Sequence, residues 1–469
     1  MVKFCTRRLL WISVAVLLIP AHSLFAQTPG QFYSLSAMVD SAQHHLPLLM
    51  QKKALADAAR AGITDARHAF LPTSYLGDEL TAGTDNSIPG SYISFGIIPS
   101  SSSGVRSSNL YQSAIGNIGF FYNQYELFDF GLKKSTVRNA QAYANLSQAD
   151  LDRETYLIKW QVAKLYLDLL KARFQLSIDK ENVGRYDTIY TVIQAVTSSG
   201  IKPGADSALA MAELSKTRIT YNQTLGQVRE LQQQLSYLTG ISANDILIDT
   251  TRASSHLSAQ GIAGGAPGAM AAANPLIDYF NKEKTLYLQR EDLVRKSYLP
   301  RLLLNGVGWA RGSSIDYTNQ YKSSAASGLG YQRFNYLAGL TLEYDLFNVV
   351  HRKDKERIAR YNTIASDYGL QQQQLSLANV GNKADEGIRT ADMNLKEIPI
   401  QIGAAQAAFD QKTAQYKAGI INLVDLTDAT FVLYRAQSDY VQTLSDWLLA
   451  NLDKYSAEGG LDQFINSIK

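Results

Sequence analysis

The second half of this chain repeats its first half, and this duplication limits the possible folds more than any other feature. One set of residue pairs recurs at a constant shift of 219 positions: Phe128/Phe347, Gly200/Gly419, Ile201/Ile420, Asp206/Asp425, Ala210/Ala429, Tyr221/Tyr440 and Gly240/Gly459. Pairs nearer the start of each half recur at a shift of 228: Pro47/Pro275, Leu71/Leu299 and Pro72/Pro300. Constant spacings on either side of one variable loop predict two copies of the same structural unit.

The first 26 residues are typical of a secretory signal. Lys3, Arg7 and Arg8 precede an apolar run from Leu9 to Ile19, and cleavage is expected after Ala26. Small residues a few positions earlier offer an alternative cleavage site. A membrane anchor is the other interpretation of this segment. It is disfavoured because an apolar run of about 11 residues is too short to span a bilayer.

Composition excludes several classes of site. The chain has a single cysteine, Cys5, which lies in the predicted signal, so the mature protein has neither a disulfide framework nor a thiol site. The net charge of +3 also resides in the signal, and no nucleic-acid partner is expected. The histidines do not have metal-ligand spacing, and no catalytic or nucleotide-binding motif has a supporting context. The sequence therefore predicts a protein that is not an enzyme and has no cofactor or metal.

Long helices are expected in both halves. Residues 132–199 contain no proline, and apolar residues recur there at spacings of four and three: Tyr156, Trp160, Ala163, Leu167, Leu170 and Phe174. This stripe is typical of coiled-coil packing and is interpreted as structural. After a turn at 200–204, a second helix is predicted over 206–239. The second half repeats this pair, with helices over 350–418 and to about 456, and Pro399 is expected to kink or interrupt the first of them.

Between the helical blocks the apolar period changes to two. In residues 334–344 an apolar set alternates with a mostly polar one: Phe334, Tyr336, Ala338, Leu340, Leu342 and Tyr344. This pattern predicts a strand with one apolar face. One hairpin is expected in each half, at about 73–125 and about 301–346, giving four strands per protomer. Soluble hairpins remain an alternative on the pattern alone, because alternating strands also occur in water-soluble sheets.

Four strands are too few for a membrane barrel. Even small barrels need about eight strands, and unpaired strand edges do not occur in the hydrocarbon region. If the strands lie in a membrane, the protein must therefore oligomerise to close the sheet. The expected layout is a signal (1–26), a first repeat (27–240), a linker (241–273), a second repeat (274–459) and a tail (460–469).

The segment around the second helical turn resembles the TolC-type outer-membrane efflux proteins. The run YKAGIINLVDLTDATFVLY (Tyr416–Tyr434) has the Y-x-x-G turn and the V-D-x-x-D-A run of that family. The run LFDFG (Leu127–Gly131) is similar to the family's L-F-D-x-G at the junction of strand and helix, and LFN (Leu346–Asn348) repeats it. The dipeptides Asn274-Pro275 and Leu299-Pro300 match as well. The resemblance extends from about Leu46 to Gly459.

The resemblance implies an α+β membrane protein that forms a homotrimer. Its twelve-stranded β-barrel would lie in lipid of the outer membrane of a Gram-negative bacterium, and a long helical barrel would continue it across the periplasm. Such a duct passively conducts substrates of tripartite efflux or type I secretion. They arrive from an inner-membrane pump of the RND, ABC or MFS type through a periplasmic adaptor (membrane fusion) protein. The competing hypothesis from another class is a soluble periplasmic coiled-coil scaffold.

The resemblance also identifies candidate site residues. It places two stacked aperture rings, which favour cations, at Asp425 and Asp428, three residues apart on one helix face. The alternative interpretation is that acidic residues near a helix start simply suit the helix dipole. The adaptor-docking turns at the closed tip correspond to Gly200, Ile201, Gly419 and Ile420.

A network that holds the tip shut is implied at Asp206 and Tyr416. The better-known family members carry an arginine at the position of Ile421, so this chain departs from the pattern there. Lys202 is a candidate to supply the missing positive charge. The first repeat has Leu209 at the position that matches Asp428, so the acidic residues are concentrated in the second repeat.

Overall fold

The computed structural model describes residues 32–88, 104–199, 204–248 and 274–468. The predicted signal, most of the inter-repeat linker and the turn at Gly200 lie outside these ranges. The helices are α1 (Leu35–His45), α2 (Pro47–His68), α3 (Leu132–Ser198), α4 (Gly204–Thr239), α5 (Pro275–Ser297), α6 (Asn348–Lys417), α7 (Leu423–Glu458) and α8 (Leu461–Ser467). The strands are β1 (Thr73–Gly83), β2 (Ala114–Phe128), β3 (Arg301–Ser313) and β4 (Arg333–Glu343).

The two halves have the same order of elements. A helix, two strands and two long helices occur as α2-β1-β2-α3-α4 and again as α5-β3-β4-α6-α7. Pro47 and Pro275 each stand in the first turn of the opening helix, where a proline loses no helical hydrogen bond. Asn274 caps α5 by accepting from the backbone N–H of Leu276 at 2.9 Å. The matching prolines therefore start equivalent helices.

The four strands form one antiparallel sheet in the order β1-β2-β3-β4, in which β2 and β3 join the hairpins of the two halves. Within the described chain, β1 and β4 each pair on one side only. One face of the sheet carries large, exposed apolar side chains: Phe334 is 77% exposed and Tyr336 is 88% exposed. The helices that the structure describes include none long and apolar enough to cross a membrane.

The opposite face of the sheet carries a group of polar side chains near the helix-side end of the strands. Gln124 on β2 donates to Asn305 on β3 at 3.0 Å, and Asn305 donates to Thr341 on β4 at 2.9 Å. Gln124 is paired with Asn305, and Thr341 lies two residues from Gly339, the partner of Asn305, so the three side chains share one face and form a ladder of hydrogen bonds. Farther along the strands the same face also carries Trp309. An exposed apolar face with polar side chains on the opposite one is typical of a transmembrane barrel, with lipid outside and water inside.

A left-handed turn connects β2 to α3. Phe130 and Gly131 have φ angles of 50° and 88°. The carboxylate of Asp129 accepts from the backbone N–H groups of Gly131 at 2.9 Å and Lys133 at 2.7 Å. Asparagine, aspartate and glycine tolerate such turns best, and the glycine takes the more extreme angle here. The LFDFG motif thus has a local structural role at the junction of strand and helix.

The long helices pack as two pairs, α3 with α4 and α6 with α7. At 1.5 Å per residue, α3 and α6 are each roughly 100 Å long. The predicted stripe on α3 is confirmed: Tyr156, Ala163, Leu167 and Leu170 are buried in the main core, and Trp160 packs against it. That core lies about halfway along α3, between the sheet and the far helical end, and includes side chains from α1, α3, α4, α7 and α8.

Pro399 was expected to kink or interrupt the helix, and the interruption is contradicted. Helix α6 is continuous from Asn348 to Lys417 with Pro399 inside it. A proline removes one backbone hydrogen bond and costs about 3 kcal/mol in a helix interior. Packing of α6 against α7 offsets this cost. Ala391, Ile398 and Ala405 are buried at seven-residue spacing on both sides of the proline.

Candidate site at the helical tip

The turn between α6 and α7 closes the far end of the second repeat. Gly419 has a φ of 71°, and its N–H donates to the carbonyl of Tyr416 at 3.0 Å. The N–H of Ile420 donates to the carbonyl of Gln415 at 2.9 Å. These two bonds form a Schellman motif, which needs glycine at the left-handed position. The Asn422 side chain then starts α7 by accepting from the N–H of Asp425 at 2.9 Å.

Asp425 and Asp428 differ in their relation to the helix start. Asp425 lies in the first turn of α7 and is half-buried, whereas Asp428 lies one turn further and is exposed. The helix dipole accounts for an acidic residue in the first turn, but its effect falls off beyond that turn. Asp428 is therefore poorly explained by the dipole alone.

Asp428 lies close enough to the first repeat to act on it electrostatically. Burial raises the pKa of Tyr186 on α3 to about 12, with further contributions from the negative charges of Glu213 on α4 and Asp428 on α7. The Tyr186 hydroxyl donates to the carbonyl of Thr427 at 3.5 Å. The acidic face of α7 thus meets the α3/α4 pair near the tip.

The structure brings two members of the predicted closure network together. Asp206 lies in the first turn of α4, and Tyr416 is buried in the last turn of α6. Burial raises the pKa of the Tyr416 hydroxyl, and the nearby negative charge of Asp206 raises it further. Lys202, Gly200 and Ile201 lie outside the described residues. Ile420 is described and is 71% exposed at the tip.

A small apolar cluster fills the tip between the two helix pairs. Its buried members are Ile189, Ile193, Ala210, Tyr416, Leu423 and Leu426. Ile421 is half-buried and packs against this cluster. The position where the better-known efflux proteins carry an arginine therefore makes an apolar contact in this chain. Leu209, at the position that matches Asp428, is 41% exposed.

Sequence analysis missed a buried carboxylate above the tip. Asp179 on α3 is 1% exposed and accepts from Thr224 on α4 at 2.6 Å, from Tyr434 on α7 at 2.9 Å and from Gln175 at 2.9 Å. It therefore links both helix pairs. A signal was present in the sequence: Ala172, Asp179, Tyr186 and Ile193 recur at seven-residue spacing, so a charged residue occupies a heptad core position.

No group of three histidine, cysteine or acidic side chains in the described ranges could hold a metal ion. The described side chains brought together around the tip are carboxylates, hydroxyls, apolar groups and the cations Arg185 and Lys417. This arrangement can attract or repel ions.

Comparisons with known proteins agree with this architecture. The sequence model of the family described as "Outer membrane efflux protein" matches residues 38–241 and 287–460, one match in each repeat. Outer membrane protein TolC of Vibrio cholerae is 20% identical over 455 residues, covering 92% of this chain and 91% of that protein.

Solved outer-membrane channels have the same fold. The CmeC outer membrane channel of Campylobacter jejuni superposes with a TM-score of 0.74 at 15% identity, covering 93% of this chain and 90% of that one. The outer membrane protein VceC of Vibrio cholerae gives 0.72 at 12% identity, with 91% and 96% covered. The predicted fold class and the resemblance seen in the sequence are confirmed, and the chain belongs to the outer membrane efflux protein family.

Proposed function

We propose that three copies of this chain form the outer-membrane exit duct of a tripartite efflux or type I secretion system. The observation that carries the proposal is the sheet, which has two open edges, an exposed apolar face and a polar ladder on the opposite face. Pairing β4 of one copy with β1 of the next closes twelve strands and leaves no edge in hydrocarbon. The long helices then continue the barrel through the periplasm.

The exposed apolar face argues against a soluble periplasmic scaffold. Leu76 on β1 is 87% exposed, Leu340 on β4 is 65% exposed and Leu342 is 70% exposed. In a water-soluble sheet these side chains would need a covering layer. In the closed barrel they face lipid, and the ladder of Gln124, Asn305 and Thr341 faces the water-filled interior.

At the tip, Asp425 and Asp428 would form two rings of three carboxylates in the trimer. Such rings favour cations and bind multivalent ones at a constriction. The exposure of Asp428 and its place beyond the first turn of α7 support this role. The nearby Asp206 and Tyr416 are proposed to hold the α4 and α6 ends together in the resting channel.

The same tip is the proposed docking surface for a periplasmic adaptor. Ile420 projects from the α6–α7 turn, and Gly419 fixes the shape of that turn through its left-handed backbone. Gly200 and Ile201 are the corresponding positions of the first repeat. The pump behind the adaptor is proposed to be an inner-membrane protein of the RND, ABC or MFS type.

Cell fractionation with planar-bilayer recording tests the proposed duct. We expect a detergent-extractable trimer in the outer-membrane fraction that dissociates only on heating, and ion conductance when it is reconstituted. A monomer released by osmotic shock would refute the proposal. A matched variant, Leu340→Arg on the lipid face, should lower the yield of trimer because a cation on that face costs up to about 4 kcal/mol, depending on its depth in the membrane. Thr341→Arg on the lumen face should preserve the trimer.

A further inference from the structure

A small cavity lies beside the tip, between α3 of the first helix pair and α6 and α7 of the second. Its volume is about 190 Å³. Ile189 and Val192 on α3, Phe409 on α6 and Leu426 on α7 supply apolar walls. The cavity is thus a space between two helix pairs within one protomer, and its walls are mostly apolar.

Arg185 brings a positive charge to this apolar space. Its Nη2 donates to Gln437 at 2.7 Å and to Glu181 at 3.5 Å. Its Nη1 is buried and has no hydrogen-bond partner in the described part of the chain. Burial also lowers the pKa of this guanidinium. A buried charged donor without an acceptor is costly, so an acceptor placed in the cavity would be stabilised.

The other polar groups of the lining favour an anion over a cation. Lys417 adds a second positive charge at the end of α6 and makes no ion pair within the described ranges. The hydroxyls of Thr188 and Thr413 already donate to backbone carbonyls of their own helices, at 2.9 and 2.7 Å. The nearest partner carboxylate, Glu181, is 61% exposed and already contacts Arg185. The described lining itself thus has two cationic side chains and no carboxylate, and the negative charge of Asp206 acts on Tyr416 from outside the lining.

The volume sets the size of the ligand. An apolar cavity of about 150 Å³ lined by leucine, isoleucine and phenylalanine is known to bind benzene. The present cavity, of about 190 Å³, opens to the surface where Thr188, Val192 and Lys417 are exposed, and it has room for one aromatic ring and a small polar group. We propose that this cavity binds a small aromatic carboxylate, whose oxygens accept from Arg185 and whose ring packs between Ile189 and Phe409.

Binding here would affect the relation between the two helix pairs. Tyr416, a member of the proposed closure network, forms part of the cavity wall together with residues of α3. A ligand that contacts both pairs stabilises the arrangement in which the cavity exists. This site lies within one protomer and does not depend on conduction through the duct.

A ligand series on the unmodified, detergent-purified trimer tests the proposal by isothermal titration calorimetry. Benzoate is the probe, benzamide is its neutral isostere and benzylamine is its cationic counterpart. We expect saturable binding of benzoate, roughly tenfold weaker binding of benzamide because the charge-assisted bond is lost, and no binding of benzylamine. Equal affinities for benzoate and benzamide, or no saturable binding of benzoate, would overturn the proposal.

Two arginine variants locate the site. Arg185→Gln should weaken benzoate binding roughly tenfold, which is the loss expected for one charged hydrogen bond. Arg173→Gln is the matched control, because Arg173 is a half-buried arginine on the same helix but outside the cavity. The Arg173→Gln variant should bind benzoate with the affinity of the parent protein. Equal losses of benzoate affinity in the two variants would contradict the site. If Arg185→Gln does not form the trimer, the comparison of benzoate, benzamide and benzylamine on the unmodified protein tests the proposal by itself.

Discussion

The two longest described helices, α3 and α6, have the same place in their repeats, but different residue types are buried at the matching positions of each, here called its seam. At the shift of 219, Ala172, Asp179 and Tyr186 of α3 correspond to Ala391, Ile398 and Ala405 of α6, and all six are buried. The α3 seam thus contains a carboxylate and a phenol. The α6 seam contains alanine and isoleucine only. Duplication has preserved which positions are buried and has changed the chemistry placed there.

This difference indicates how each helix is held. Through Asp179, α3 is hydrogen-bonded to α4 and α7, so it is fixed in register with both helix pairs. Helix α6 packs through small residues, which allow close approach but supply no directional bond at those positions. We infer that Asp179 holds α4 and α7 in one register with α3, whereas α6 is held by apolar packing at the matching positions.

Removing the buried carboxylate should have the largest effect. In Asp179→Ala the hydroxyls of Thr224 and Tyr434 lose a buried acceptor, so we expect a loss of about 3 kcal/mol per protomer in the free energy of unfolding. Thermal melting of the trimer in detergent, followed by circular dichroism, measures it. Asp187→Ala, an exposed salt-bridged aspartate on the same helix, should cost less than about 1 kcal/mol. Equal melting shifts would show that the α3 seam has no special role.

Neutralising the two acidic residues of α7 should have the next largest effect. In the double variant Asp425→Asn with Asp428→Asn, block by a trivalent cation in planar bilayers should weaken roughly tenfold or more, because six charges leave the trimeric constriction. Asp446→Asn, further along α7, is the control and should leave block unchanged. Block that is the same in the double variant and the parent would remove these residues from the conducting path.

Adding the missing acidic residue to the first repeat tests whether both tips line the same passage. Leu209 is partly exposed, so Leu209→Asp places a solvated carboxylate at the position that matches Asp428. We expect roughly threefold stronger block by the trivalent cation, a smaller gain than the loss above because the α7 rings are already present. Leu209→Asn serves as the uncharged control. Unchanged block in Leu209→Asp would place the first-repeat tip away from the passage.

The sequence predicted the features that depend on near neighbours. Alternation over 334–344 predicted β4, and Gly419 predicted the turn that its left-handed backbone forms. The stripe from Tyr156 to Phe174 predicted the buried face of α3. Such patterns are readable because residues two to four positions apart share one face of a strand or helix.

The features that the sequence did not reveal depend on distant contacts. The donors to Asp179 on other helices lie 45 and 255 residues away along the chain. The unpaired nitrogen of Arg185 is visible only once α3, α6 and α7 are placed together. At Pro399 a local rule predicted a kink or an interruption, and α6 is not interrupted because it packs along α7. In each case the deciding interaction joins two different helices, whereas the periodicity of a sequence reports only on residues within one helix or strand.

Placing an arginine at position 421, where the resemblance implies one, should have the smallest effect. It would show whether charge can hold the tip of the second repeat. In Ile421→Arg a cation replaces an apolar side chain beside Tyr416, in the neighbourhood of Asp206. A new, partly exposed ion pair is worth about 0.4 kcal/mol, so we expect a roughly twofold lower open probability in single-channel records. Ile421→Met, which preserves volume without charge, should leave the open probability as it is. If the arginine and methionine variants open equally often, the tip of this chain is held by its apolar cluster rather than by charge.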